Sequence, residues 1–151
     1  MLSDISPPAS PELLAARCRM GRGGEVVLAD ALPAEPVNVR VLRADGLRID
    51  DLLDAVLPLL AIDSYVPDPI VMMAPVAGDP DIRARHRSTI EGHHPEAPRT
   101  TSISRLDLHA RAHHAFAVVG TSETAKHGNV LPKKGLTPVA PSSGPTHRKE
   151  Q

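Results

Sequence analysis

The eight histidines are the side chains best able to move a proton near neutral pH. His93-His94 and His113-His114 are adjacent pairs, and neighbours on one element point in different directions, so neither pair chelates a metal well. His109 and His113 stand at i, i+4, a spacing that can bind zinc from one helix face, but no matching Glu motif or strong third ligand lies nearby. His127 belongs to Lys126-His127-Gly128-Asn129, followed by Lys133-Lys134-Gly135. At a strand entrance an imidazole can give or take a proton, and the Asn129 amide can both donate to and accept from hydroxyl groups. Taken alone, the same residues also make an ordinary surface turn.

Asp30 ends the apolar run Glu25-Val26-Val27-Leu28-Ala29-Asp30. A carboxylate at the C-terminal end of a buried strand lies where α/β folds gather their ligands. There it can accept from a hydroxyl, act as a base, or simply hold a loop. Gly21-Arg22-Gly23-Gly24 has the glycines of a phosphate loop, yet such a loop leads from a strand into a helix, and here the order is reversed. The motif therefore reads as a helix stop and tight turn, with Arg22 free to project into a pocket. No Gly-x-Ser-x-Gly elbow occurs. The single Cys18 excludes an internal disulfide and a Cys-based zinc site; on its helical pattern it reads as a small core hydrophobe, in a reduced, cytoplasmic setting.

These residues need elements to hold them. Ser10 as N-cap, Pro11 in the first turn and Glu12 at the positive dipole end predict a helix within residues 7–21, with Leu13, Leu14, Ala16 and Cys18 on its apolar side. A buried strand follows up to Asp30, then a loop at Pro33 and Pro36. Alternation over Val37 to Arg43 predicts a second strand. Asp50 or Asp51 is expected to cap a helix carrying Leu52, Leu53, Val56, Leu57 and Leu60, shortened by Pro58. Pro69 to Val76 reads as a third strand and Pro80 to Gly92 as a solvated helix. Beyond it come a short strand over Thr101 to Arg105, a helix over Asp107 to His114, a strand over Phe116 to Gly120 and an extended piece over Gly128 to Leu131. Strands interleaved with helices imply a single α/β layered domain with a mostly parallel or mixed sheet.

Composition narrows the functions. Hydrophobic residues make up 41% of the 151, too many for a disordered chain and enough for one domain. Only Tyr65 and Phe116 are aromatic and Trp is absent, so the core must be aliphatic and no stacking platform for single-stranded nucleic acid exists. A formal charge of −1 gives no electrostatic case for nucleic acid or an anionic membrane. The start, Met1-Leu2-Ser3-Asp4, has no basic segment followed by an apolar one, and no apolar stretch approaches bilayer-spanning length.

Several stretches together carry a resemblance. They are Ser10-Pro11-Glu12-Leu13-Leu14, Met20-Gly21, Arg43-Ala44-Asp45-Gly46-Leu47, Asp63-Ser64-Tyr65, Val71-Met72-Met73-Ala74, Ala125-Lys126-His127-Gly128-Asn129 and Lys133-Lys134-Gly135-Leu136-Thr137-Pro138. In this order and spacing the chain resembles the family of L-fucose mutarotase and D-ribose pyranase, from about Leu2 to Pro138. The resemblance implies a three-layer αβα sandwich over residues 1–138, with 139–151 as a disordered tail. It implies interconversion of the α- and β-pyranose anomers of a free sugar, L-fucose, without metal or organic cofactor. Ring-like homo-oligomers, commonly decamers built from pentamers, are implied as well. Residue by residue, the family's sugar-binding positions match Asp30, Arg105 and His127-Gly128-Asn129. The position of its proton-donating His is Arg22, where a guanidinium that stays protonated is a poor proton donor, so His127 becomes the candidate substitute. At Leu106-Asp107-Leu108-His109 the family tends to be richer in aromatics. The alternative is a sugar-binding oligomer on the same fold without efficient catalysis.

Overall fold

A computed structural model describes residues 8–30 and 39–136. The tail expected over 139–151, the loop at Pro33 and Pro36 and the strand start at Val37 and Asn38 lie outside the described residues.

Helix α1, Pro11–Arg19, starts as the sequence predicts: Ser10 accepts from the Leu13 amide at 3.2 Å, and Pro11 fills the first turn. Leu13 and Ala16 are buried, but Cys18 is exposed, which corrects its reading as a core residue. The reason is angular. Two residues beyond Ala16 is about 200° around the helix, which turns Cys18 away from the sheet. Strand β1, Val26–Ala29, is buried throughout. Strand β2, Arg40–Ala44, lies at the sheet edge and exposes Arg40 and Arg43.

Helix α2, Ile49–Val56, has Arg48 at its N-cap rather than Asp50 or Asp51. Asp51 still caps it, because its carboxylate reaches back to accept the Arg48 amide at 3.1 Å. Pro58 has the expected effect: α2 stops at Val56 and a single tight turn, Leu57–Leu59, follows. Strand β3 is Ile70–Met73 and helix α3 is Arg83–His93. The latter is not solvated all round, since His86 and Ile90, one turn apart, are buried. Strand β4 spans Thr100–Ile103; Ser104 then caps helix α4, Arg105–Ala112, by accepting from the Asp107 amide at 3.1 Å. Arg105 thus opens a helix instead of ending a strand. Strands β5, Ala117–Thr121, and β6, Val130–Pro132, complete the described elements.

The six strands form one sheet in the order β2-β5-β1-β6-β3-β4. All run parallel except β6, which is antiparallel to both β1 and β3. Alternation along the strands feeds two cores. Val26, Leu28, Ile70 and Met72 pack with Leu13 of α1, Leu52, Leu53 and Val56 of α2, and Ile90 of α3. Val27, Ala29, Val71 and Met73 pack with Leu108 and Ala112 of α4 on the opposite face. The result is a three-layer αβα domain whose buried surface is aliphatic, as a chain with two aromatics requires. No helix among the described residues is long and apolar enough to cross a membrane.

Candidate active site

The chain leaves β1 for the β2 edge on one side of the sheet, yet β3 and β4 lie on the other side. Such a switch opens a crevice at the carboxyl ends of parallel strands. A cavity of about 580 Å³ lies there, within the range of small-molecule sites. The ends of β1 (Ala29, Asp30) and β3 (Met73), the segment after β5 (Glu123 to Lys126) and the entry to β6 (His127, Asn129) line it, with Arg105, Leu108, His109, Ala112 and His113 of the α4 region as its outer wall.

Local hydrogen bonds lock three of the sequence-predicted residues together. The Asp30 amide donates to Asn129 Oδ1 at 2.9 Å, and the His127 amide donates to Asp30 Oδ2 at 3.0 Å. Asn129 is buried and its carbonyl accepts the Met73 amide at 3.1 Å, which ties the loop to β3. Among the described residues, this leaves Asp30 Oδ1 without a partner and the Asn129 Nδ2 group facing only the Met73 sulfur, at 3.8 Å. Both remain free to bind hydroxyls. His127 has φ +62°, a left-handed conformation uncommon for a residue with a Cβ. Its Nε2 lies 3.2 Å from Asp79 Oδ2 and its Nδ1 3.2 Å from the Met73 sulfur.

Two carboxylates on the cavity wall carry no signal in the sequence. Asp79 lies in the loop after β3 and meets His127 only through tertiary folding. Glu123 is buried; it accepts from the Ile49 amide at 3.4 Å and the Ala125 amide at 3.2 Å, and pairs with Arg85 at 3.2 Å. It is occupied in shaping the loop. Arg105, His109, His113 and Lys126 border the opening with exposed side chains. His109 and His113 share the cavity wall, and no cluster of three His, Cys, Asp or Glu able to hold a metal occurs among the described residues.

Arg22 is not brought into this cavity. It sits in the glycine turn before β1, 4.0 Å from Asp63 and stacked 5.1 Å above the Tyr65 ring. Asp30 is at the other end of that strand, whose four residues alone span about 13 Å. Gly128, between His127 and Asn129, is buried and does not line the cavity; a Cβ there would stand 2.7 Å from the Ile82 Cδ1 atom.

A family model, the RbsD / FucU transport protein family, matches residues 4–137. The chain belongs to the RbsD/FucU family. An L-fucose mutarotase of Haemophilus influenzae (strain 86-028NP) is 46% identical over 143 residues, covering 92% of this chain and 99% of that relative. Among solved structures, a fucose mutarotase of Streptococcus pneumoniae in complex with L-fucose matches with a TM-score of 0.83 and 39% identity, covering 91% of this chain and all of that one (100%). FucU of Bifidobacterium longum matches at TM-score 0.81 and 32% identity over 88% of this chain and 98% of its own. RbsD of Bacillus subtilis complexed with D-ribose shares the fold, at TM-score 0.69 and 16% identity over 85% of this chain and 94% of its own.

Proposed function

We propose that this family member is an isomerase that interconverts the α- and β-pyranose anomers of L-fucose. The likeness to L-fucose mutarotases over 92% of the chain, at 46% identity, carries the proposal. The chemistry asks little of a protein. A proton leaves the anomeric hydroxyl, another reaches the ring oxygen, and the bond between C1 and the ring oxygen breaks to give an open-chain aldehyde. Rotation about C1–C2 presents the other carbonyl face, and closure reverses both transfers. Each well-placed acid or base contributes roughly 10²–10⁴-fold.

Asp30 accepts the anomeric proton through Oδ1, the oxygen that the His127 amide does not occupy. The His127 imidazole supplies the proton to the ring oxygen and recovers it on closure. Its Nε2 donates to Asp79, which fixes the ring and leaves Nδ1, beside the Met73 sulfur, as the nitrogen that exchanges a proton. Arg105 and the Asn129 amide hold the remaining hydroxyls, and Gly128 lets the loop pack closely beneath them. Arg22, at the far end of β1, takes no step within its own chain. The same reading carries a cytoplasmic homo-oligomer, a decamer of two pentameric rings. Its support is the family resemblance, together with large apolar side chains left in solvent: Leu106 is 81% and Tyr65 76% exposed.

Saturation-transfer NMR on L-fucose, with and without the protein, reads anomer exchange directly. Acceleration at catalytic protein concentration is the expected result. Sugar binding without acceleration would overturn the enzyme reading.

A further inference from the structure

A second imidazole lies under the loop, outside the cavity lining. The His86 side chain, on α3, is 1% exposed. Its Nε2 is 3.0 Å from the Gly128 carbonyl oxygen and its Nδ1 2.5 Å from Asp50 Oδ1, on the first turn of α2. A carbonyl oxygen only accepts, so Nε2 carries a hydrogen. The Asp50 carboxylate, whose other oxygen pairs with Arg85, also only accepts, so Nδ1 carries one too. With both nitrogens facing acceptors, the ring has the hydrogen-bond pattern of an imidazolium that donates from both. Arg85 bridges onward to Glu123, and Glu123 accepts from the Ala125 amide. Helix α3 thus grips the loop at Ala125 and at Gly128, on either side of Lys126 and the left-handed His127.

We propose that His86 is a positioning residue for the cavity loop: donating from a buried imidazolium anchored on Asp50, it fixes the Gly128 peptide and with it the backbone and ring position of His127. The loop's other bonds, from Asp30 and Asn129, attach it to β1 and β3. Among the described residues, the His86 bond is the one that holds the Gly128 carbonyl, one residue past His127, so it restrains the turn in which the left-handed residue sits. The charge-assisted bond is stronger than a neutral one, which explains why a charged ring is held at a fully buried position. The kinetic consequence rests on the anomer-exchange reading; the positioning itself does not.

The test compares His86→Phe, which fills the ring volume without a donor, with His86→Gln, whose amide can still donate to Gly128. For L-fucose exchange, His86→Phe is expected to lower kcat roughly 10–100-fold, as a displaced proton donor does, with KM moving less than about threefold. His86→Gln is expected to recover most of kcat. A folded Phe variant with unchanged kcat, a loss confined to KM, or a folded Gln variant no better than Phe overturns the proposal. Should the Phe variant not fold, Asp50→Asn replaces it: a neutral ring binds Gly128 about half as strongly, and kcat falls roughly 3–10-fold at constant KM. An unchanged kcat there is likewise a refutation. If the wild-type protein does not accelerate exchange at all, the enzyme reading falls alone. Crystal structures of the wild type and the same variants then decide the positioning role: His127 leaving the left-handed region supports it, and an unmoved His127 overturns it.

Discussion

Replacing His127 with Asn removes the proposed proton donor while disturbing little else. Asn tolerates the left-handed backbone at φ +62° better than Ala does, so the loop keeps its course. The side chain is only 16% exposed and makes two polar contacts, to Asp79 and to the Met73 sulfur, both at 3.2 Å. Losing one net hydrogen bond of this kind costs about 1 kcal/mol of stability. The catalytic loss is larger. Removing a general acid worth roughly 10²–10⁴-fold raises the barrier by about 2.7–5.4 kcal/mol, at 1.36 kcal/mol per decade. Asp30, Arg105 and Asn129, the proposed sugar contacts, are left in place, so the loss should fall on kcat with KM within about threefold. Exchange spectroscopy over a range of L-fucose concentrations separates the two parameters, and a thermal melt checks folding. A His127→Asn variant that retains kcat within about tenfold of wild type, or that loses exchange through KM alone, would refute the assignment.

Three further outcomes follow from other parts of the molecule. Asp68 is partly desolvated, but hydrogen bonds from Lys133 (2.6 Å) and Arg111 (2.9 Å) outweigh burial and hold its carboxyl below the usual range. A depressed carboxyl pKa stabilises the fold above the unfolded value, near 3.9, and that contribution fades as pH falls through the lower folded value. Asp68→Asn should therefore cost about 1–2 kcal/mol at pH 7 and shrink the difference from wild type in acid, read by denaturant melts at several pH values; equal losses at all pH values contradict it. At Gly135 a Cβ would sit 2.7 Å from the Ile62 carbonyl oxygen and 2.8 Å from the Asp63 Cα, both backbone atoms, whereas at Gly128 it meets the tip of Ile82. Gly135→Ala should be the more destabilising of the two, by at least about 1 kcal/mol, and the reverse order in thermal melts would count against the packing described. Arg22→His should change fucose exchange by less than about threefold, because position 22 does not reach its own chain's cavity; a larger rise means that the assembled protein brings it into a neighbour's.

The elements were largely legible because their punctuation is local. Ser10-Pro11, the run ending at Asp30 and Pro58 each act through bonds within a few residues, and each sets a boundary as expected. Sequence and structure part where a distant partner decides. Cys18 looked apolar by type, but the angle of α1 on the sheet turns it to solvent. The stretch around His86 reads as solvated because its composition is polar, yet Asp50 on α2 and the Gly128 carbonyl give both ring nitrogens partners at a buried position.

The candidate site divides along the same line. Residue types alone marked Asp30, His127 and Asn129 as able to handle hydroxyls and protons, and the motif order tied them to one family. Whether they meet is a matter of sheet order. Strand β6 inserts antiparallel between β1 and β3, and this carries Asn129 and His127 to the carboxyl end where Asp30 waits, 99 and 97 residues away along the chain. The same topology leaves Arg22 at the opposite end of β1 and brings Asp79 to His127, a partner that no local pattern announces. Local propensity is written in neighbouring residues, but proton chemistry needs groups about 3 Å apart, and over long chain separations only the packed sheet sets that distance.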